Sequence, residues 1–310
     1  MSSATVTPQK ATALHCFAVF TAGATVVLLA AGALVTSNDA GLAVPDWPLS
    51  YGTWMPPMVG NILYEHGHRM VASFVGLLTT ILTVWLLLGE PRRWVRRLGL
   101  AALGGVVLQG ILGAITVWFL LPRPVSIAHA TLAQIFFCLA VSLAVFTGPG
   151  WQVPAERRLD SGRPPLFDLT AAATLLVFIQ LILGAAYRHA LVGIAPHLVG
   201  ALAVAHFVFR TTRRVREQHA DQPALRWPAR LLFALLCAQL VLGLGAYLSR
   251  LATAHAPQPD LTMVALTVAH VVVGALILAL SLVLTLHAHR LLSHAEKVQA
   301  VLATGEEVSA

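Results

Sequence analysis

The chain has 310 residues, 57% of them hydrophobic and 11% charged, with a formal net charge of +7; its mean hydropathy is +0.78. That is more apolar side chain than a soluble domain of this length could bury, so the composition indicates a polytopic membrane protein. A basic balance can also mark nucleic-acid binding, but here Lys and Arg fall in alternate segments between apolar runs, not on one soluble face, which argues against nucleic acid as a partner.

Eight apolar runs follow one another, near 14–35, 66–88, 98–121, 127–147, 169–187, 194–212, 228–248 and 263–286. Each is roughly 19–24 residues long, enough to cross a hydrocarbon core of about 30 Å. The first lacks an A-x-A-like cleavage site and is read as a retained helix, not a removed signal. One set of segments holds Lys10, Arg92, Arg93, Arg96, Arg97, Arg157, Arg158, Arg163, Arg210, Arg213, Arg214, Arg216, Arg226, Arg230, Arg290 and Lys297, sixteen of the twenty basic residues. Arg69, Arg123, Arg188 and Arg250 lie on the other side. The positive-inside rule then predicts cytoplasmic termini, with loop 36–65 and the turns near 123, 188 and 255 outside. Cys16, Cys138 and Cys237 sit in apolar runs without a CxxC, so buried hydrophobes are expected there, not a disulfide or zinc site.

The third, fifth and seventh runs share a Gln-x-x-Leu-Gly pattern, at Gln109–Gly113, Gln180–Gly184 and Gln239–Gly243. The even-numbered runs share a histidine near the outer end: His68, His129, His197 and His270. Four spans return a chain to its starting side, so this is a parallel internal repeat. The expected fold is all-α, an eight-helix transmembrane protein of two pseudo-symmetric four-helix bundles. Residues 1–150 form one half; residues 151–310 form the other, with a cytoplasmic C-terminal tail.

Imidazoles at one depth on alternate helices suit axial ligation of haem iron, because a flat macrocycle between facing helices needs a nitrogen from each side. The second and fourth helices would clamp one haem, and the sixth and eighth another. The plainer reading of any single one is a hydrogen-bonded packing residue; the repetition favours ligation. Gly200 with Ala201, and Gly274 with Ala275, would leave room for a porphyrin edge. His206 reads as structural, and His15, His219, His287, His289 and His294 as residues of the inner surface. His189 and His255 are expected as solvated loop residues above the second haem.

Tyr64-Glu65-His66-Gly67-His68-Arg69 crowds ionisable groups at one end of a membrane helix, where charge is costly and marks function. Glu65 and His68, at i and i+3, share a helix face, while His66 points away. A carboxylate one turn from an axial histidine could accept a proton at a macrocycle rim. The competing reading is an ion pair with Arg69 that anchors the helix. Arg69 is also a candidate for a haem propionate, whose planar carboxylate fits its fork. Asp46 and Trp47 read equally as an interfacial anchor or a lid.

The run Gly32-Ala-Leu-Val-Thr-Ser-Asn-Asp-Ala-Gly41-Leu, then Asp46-Trp47-Pro48, Glu65-His-Gly-His68-Arg69 and the segments around His129, His197 and His270 resemble the haem A synthase family over nearly the whole chain. The resemblance implies an enzyme that oxidises the C8 methyl of haem O to the formyl of haem A for terminal oxidases. It implies His68 and His129 as ligands of the substrate haem O, His197 and His270 as ligands of haem b, and Glu65 as the catalytic carboxylate. Implied partners are a haem O synthase, a terminal oxidase assembly, an electron acceptor and membrane lipid, in a bacterial-type inner membrane with the haem sites toward the outer face. Many family members carry a cysteine pair in an outer loop; this sequence has none. Two other classes compete: a di-haem b electron-transfer protein linked to quinol, in which Glu65 is incidental, and a proton-coupled transporter, in which Glu65 and His68 relay protons and no haem binds.

Overall fold

The computed structural model describes residues 8–294, so Lys297 and the expected C-terminal tail lie outside the described residues, as does the side chain of Lys10. Eight helices follow the apolar runs and extend past them into the flanking polar residues: α1 Pro8–Ser37, α2 Asn61–Gly89, α3 Arg93–Trp118, α4 Arg123–Thr147, α5 Leu166–Arg188, α6 Ala195–Gln218, α7 Pro223–Ala252 and α8 Leu261–Leu291. Their ends fall at ordinary helix punctuation. Pro124, Pro196 and Pro223 stand in first turns, where the missing N–H costs nothing. Gly60 takes a positive φ of 52° just before α2, and Asp260 caps α8 by accepting from the Met263 N–H at 3.0 Å.

Seven of the eight are long and apolar enough to cross a membrane. The exception is α6, which the sequence reading counted as a span. It has 24 residues, but Arg210, Arg213, Arg214 and Arg216 occupy its last turns and His197 and His206 lower its apolarity earlier. Tertiary packing places it in the bundle regardless: it runs between α5 and α7 and buries Val204, Val208 and Val215. The large apolar side chains left exposed, such as Leu77 and Ile81 of α2 and Val241 and Leu244 of α7, suit a hydrocarbon solvent.

Helices α1 to α4 pack on one another in a ring, with α1 against α2 and α4 and α3 against α2 and α4; α5 to α8 do the same. Each ring has its own apolar core. Val75, Leu82, Leu86, Phe136 and Leu143 fill the first, and Val177, Val208, Leu232, Ile277 and Leu284 the second. Phe137, Val141 and Ala275, with Val26 and Leu29 beside them, form a seam where α1 and α4 meet α8. At the arginine-rich end a three-residue parallel ladder joins β1 Arg158–Asp160 to β2 Leu292–His294, and buried Asp160 accepts from the N–H groups of Gly162 and Leu166 at 3.0 and 2.6 Å, fixing the start of α5. Cys16 and Cys237 lie exposed on the helix exteriors, where buried positions were expected; Cys138 is half-buried.

Candidate functional site

Three of the four basic residues of the histidine-bearing end, Arg69, Arg123 and Arg188, hold a loop or a helix end. Arg69 is the most committed: Nη1 donates to the carbonyls of Asp46 at 2.7 Å and Leu49 at 2.8 Å, and Nη2 to Glu65 Oε1 at 2.6 Å. The other oxygen of Glu65 accepts from the Val44 N–H at 2.8 Å. His66 adds a third fastening, its Nδ1 lying 2.8 Å from Ser50 Oγ. The α1–α2 connection is therefore pinned to the first turns of α2, and Val44 and Ser50 are wholly buried beneath it. Asp46 fastens the loop to itself by accepting from the N–H groups of Tyr51 and Gly52. Trp47 packs edge-on against Trp118, with centroids 5.8 Å apart. With both terminal nitrogens engaged, Arg69 has its Nε left for any further partner.

Arg188 donates to the Thr36 carbonyl and stands 3.5 Å from Asp39, while Arg123 donates to the Ala190 carbonyl at 3.1 Å. The α5–α6 turn is thus drawn over the first ring. His189 goes with it, into electrostatic reach of His129, a position that corrects the expectation that it lies over the second ring. Partial burial and the neighbouring Arg188 charge hold its pKa below the usual histidine value. His255 stays exposed in its loop. At the opposite end His15 Nδ1 meets the Ala144 carbonyl at 3.0 Å, His219 lies 3.8 Å from Asp160, and His287 and His289 pack on Trp151 and Phe167. His206 is exposed on α6, not a core residue.

The repeated histidines share one construction. Each lies against a glycine of the preceding helix, so close that a Cβ there would stand 3.3 Å from His68 Cε1 at Gly32, 3.7 Å from His129 at Gly113, 3.1 Å from His197 at Gly184 and 2.8 Å from His270 at Gly243. Three of these glycines end the Gln-x-x-Leu-Gly motifs. The repeat that had no assigned purpose in the sequence is the floor on which the imidazoles rest. The motif glutamines, one turn away, also reach the histidines: Gln180 Nε2 lies 3.0 Å from His197 Nδ1 and donates to the His197 carbonyl at 2.8 Å, and Gln239 Nε2 lies 3.5 Å from His270 Nε2. Gly200 and Gly274 face these glutamines, so the space expected for a porphyrin edge is taken by amide side chains.

His197 and His270 face each other with ring centroids 6.2 Å apart. Imidazole–metal bonds run to about 2 Å each, so this separation suits one metal centre between the rings. His68 and His129 lie within electrostatic reach of each other. The Nδ1 atoms of His68, His129 and His270 are buried without a hydrogen-bond partner, which is costly for a polar atom unless something else satisfies the ring. No cluster of three or more His, Cys, Asp or Glu suited to a free metal ion exists among the described residues. A pair of imidazoles from facing helices suits a haem iron with two axial ligands.

The fold and these pairs define a polytopic helical membrane protein with paired histidines at one end. Residues 58–196, which contain Glu65, His68, Arg69 and His129, match the COX15-CtaA family of cytochrome oxidase assembly proteins. Among curated relatives, the heme A synthase of Symbiobacterium thermophilum is 36% identical over 179 residues, covering 56% of this chain and 58% of that protein. That of Geobacillus thermodenitrificans is 28% identical over 183 residues, 57% of this chain and 56% of the relative, and that of Beijerinckia indica 33% over 153 residues, 44% and 42%. The similarity spans about half the length of these relatives.

Proposed function

We propose that the protein is an enzyme that oxidises the C8 methyl of haem O to the formyl of haem A. The observation that carries this reading is the fourfold glycine–histidine construction, in two pairs at one end, with a carboxylate one helical turn from one of the four. The first ring, within residues 1–150, takes haem O as substrate between His68 and His129. The second, within residues 151–310, takes a haem b between His197 and His270. Haem b, when bound, supplies a route for the electrons that leave the methyl carbon toward an acceptor. A haem O synthase upstream and a terminal oxidase downstream are the chemical neighbours of such a reaction. The histidine end faces outward and the arginine-rich end the cytoplasm, by the charge rule.

The residues themselves bind, orient and move protons. Two helices gripping one macrocycle fix its rim against α2, and fixed orientation is worth much of a barrier. Glu65 is the group assigned to accept a proton as the methyl loses hydrogen. Its hydrogen bonds from Val44 and Arg69 hold it as an acceptor, and the loop above it excludes water from the rim. A second reading is favoured by the same contacts: Glu65 and Arg69 as a clasp that closes the loop, with no part in the chemistry. Arg69 belongs to that clasp, and its remaining Nε is the atom open to a propionate.

The test is the absorption spectrum and the extracted haem of the purified protein and its histidine variants. His197→Ala or His270→Ala should remove a low-spin haem b signal while the protein stays inserted. His68→Ala and His129→Ala should abolish haem A formation. Haem b alone in the wild type would favour an electron relay, and no haem at all a transporter.

A further inference from the structure

The arginine-rich end holds a second site, far along the helices from the histidines. Between the end of α6 and the start of α7 lies a cavity of about 230 Å³, lined by Arg213, Arg216, Arg226 and Arg230 together with Phe209 and Phe233. Arg213 is answered by Glu217 at 2.7 Å. The other three form no ion pair at bonding distance among the described residues, and Glu217 acts on Arg216 only through space. Arg226 gives one bond to the Ala220 carbonyl at 3.2 Å and keeps a buried Nε with no partner; Arg230 lies over the Trp227 ring at 5.4 Å. Three guanidinium groups around one cavity repel one another unless an anion sits among them.

We propose that this cavity binds the phosphate headgroup of an anionic phospholipid, phosphatidylglycerol or a lipid of the same headgroup charge. Three features select a lipid over a free anion. The guanidinium fork matches phosphate oxygens in pairs. The apolar part of the lining, with Phe209 and Phe233 themselves exposed on the helix exteriors, gives the first carbons of acyl chains a surface that inorganic phosphate does not need. Trp227 is exposed at the same level, where indole rings mark the boundary between headgroups and hydrocarbon. The cavity is smaller than the roughly 300–1,000 Å³ of sites that enclose a whole ligand, so it admits a headgroup while the chains stay in the bilayer. Basic pockets between membrane helices are a known setting for such headgroups.

The experiment uses the full chain in detergent, with lipid binding read by native mass spectrometry. Phosphatidylglycerol should bind at least about tenfold more tightly than phosphatidylcholine, a difference of roughly 1.4 kcal/mol, and added salt should weaken it. Arg226→Gln with Arg230→Gln should reduce phosphatidylglycerol to the phosphatidylcholine level, whereas Arg226→Lys with Arg230→Lys, which keeps the charge, should retain part of the preference. The headgroup comparison needs no variant, so a misfolded mutant leaves it intact. Equal binding of the two lipids, a preference unchanged in the Gln variant, or displacement of the lipid by equimolar inorganic phosphate would each overturn the proposal.

Discussion

The two rings repeat one construction and finish it differently. In α5 to α8, glutamines 180 and 239 stand beside His197 and His270, the connections over the site are short, and neither imidazole pairs with a carboxylate among the described residues. In α1 to α4 the position one turn before Gly32 is Leu28, and a long pinned loop and Glu65 sit beside His68. A site that holds a resident cofactor gains from fixed ligands; a site that must admit, oxidise and release a macrocycle gains from a cover and a proton acceptor. The contrast supports assigning the resident haem to the second ring and the substrate to the first.

Glu65→Gln is the change most able to break that comparison. If Glu65 accepts a proton, the variant should keep the haems of both rings and lose turnover by roughly 10²–10⁴, the usual worth of a positioned acid or base. Haem extracted from cells supplied with haem O should then be stalled short of the formyl. If the Glu65–Arg69 pair is only a clasp, haem A yield should fall no further than the folded protein does, and the loop over 38–60 should become sensitive to protease. Normal haem A from Glu65→Gln would end the catalytic assignment.

The glycine floors sharpen the comparison by degree. A methyl at Gly243 would press on His270 at 2.8 Å and at Gly184 on His197 at 3.1 Å, while Gly32 leaves 3.3 Å and Gly113 leaves 3.7 Å. Gly243→Ala should therefore lower haem b occupancy most, Gly184→Ala less, Gly32→Ala should weaken retention of the substrate haem slightly, and Gly113→Ala should be near neutral. Haem-to-protein ratios of the four purified variants give the order directly, and a reversed order would mean that the imidazoles do not rest on these residues.

Much of this was legible in the sequence. Apolar runs and the alternation of arginine fixed eight helices, and the histidine repeat found the four imidazoles that lie against glycines, because both follow from periodic local rules. What escaped was contact between helices. The Gln-x-x-Leu-Gly motif was visible, yet nothing along the chain shows that Gly243 lies under His270 or that Gln180 fills the space facing Gly200. His189 was misplaced for the same reason: its position is set by Arg188 and Arg123 reaching across to the other ring. The marginal apolarity of α6 was hidden by reading its apolar part without the arginines that complete the helix.

A finer difference between the rings lies in the glutamines. Gln180→Leu and Gln239→Leu would remove a donor next to an imidazole at little cost in volume, and a hydrogen bond of this kind contributes about 1 kcal/mol. The variants should keep haem b and move its midpoint potential by an amount on the order of tens of millivolts, since hydrogen bonding around the ligands tunes haem potentials. Gln109→Leu should leave that potential unmoved, because Gln109 lies in the other ring.

The smallest effect belongs to Asp46, which tests whether the loop over the first ring is held from α2 alone. Its carboxylate accepts from the N–H groups of Gly52 and Tyr51 at 2.8 and 2.7 Å, and these bonds, that from Gly52 foremost, keep its pKa below the ordinary 3.8 against an opposing effect of desolvation. A depressed carboxylate pKa stabilises the folded loop at pH above the ordinary value, and the benefit is lost as pH falls through the folded one. Across neutral pH the contribution is therefore flat. Asp46→Asn has one oxygen where two N–H groups need an acceptor, so amide exchange at Tyr51 and Gly52 should quicken while Val44, held by Glu65, stays protected. Because the carboxylate is solvent-exposed, the change should be confined to this turn, leaving haem b and the second ring as they were. Exchange that quickened at Val44 to the same extent would mean that the Asp46 turn, not the α2 clasp, holds the cover in place.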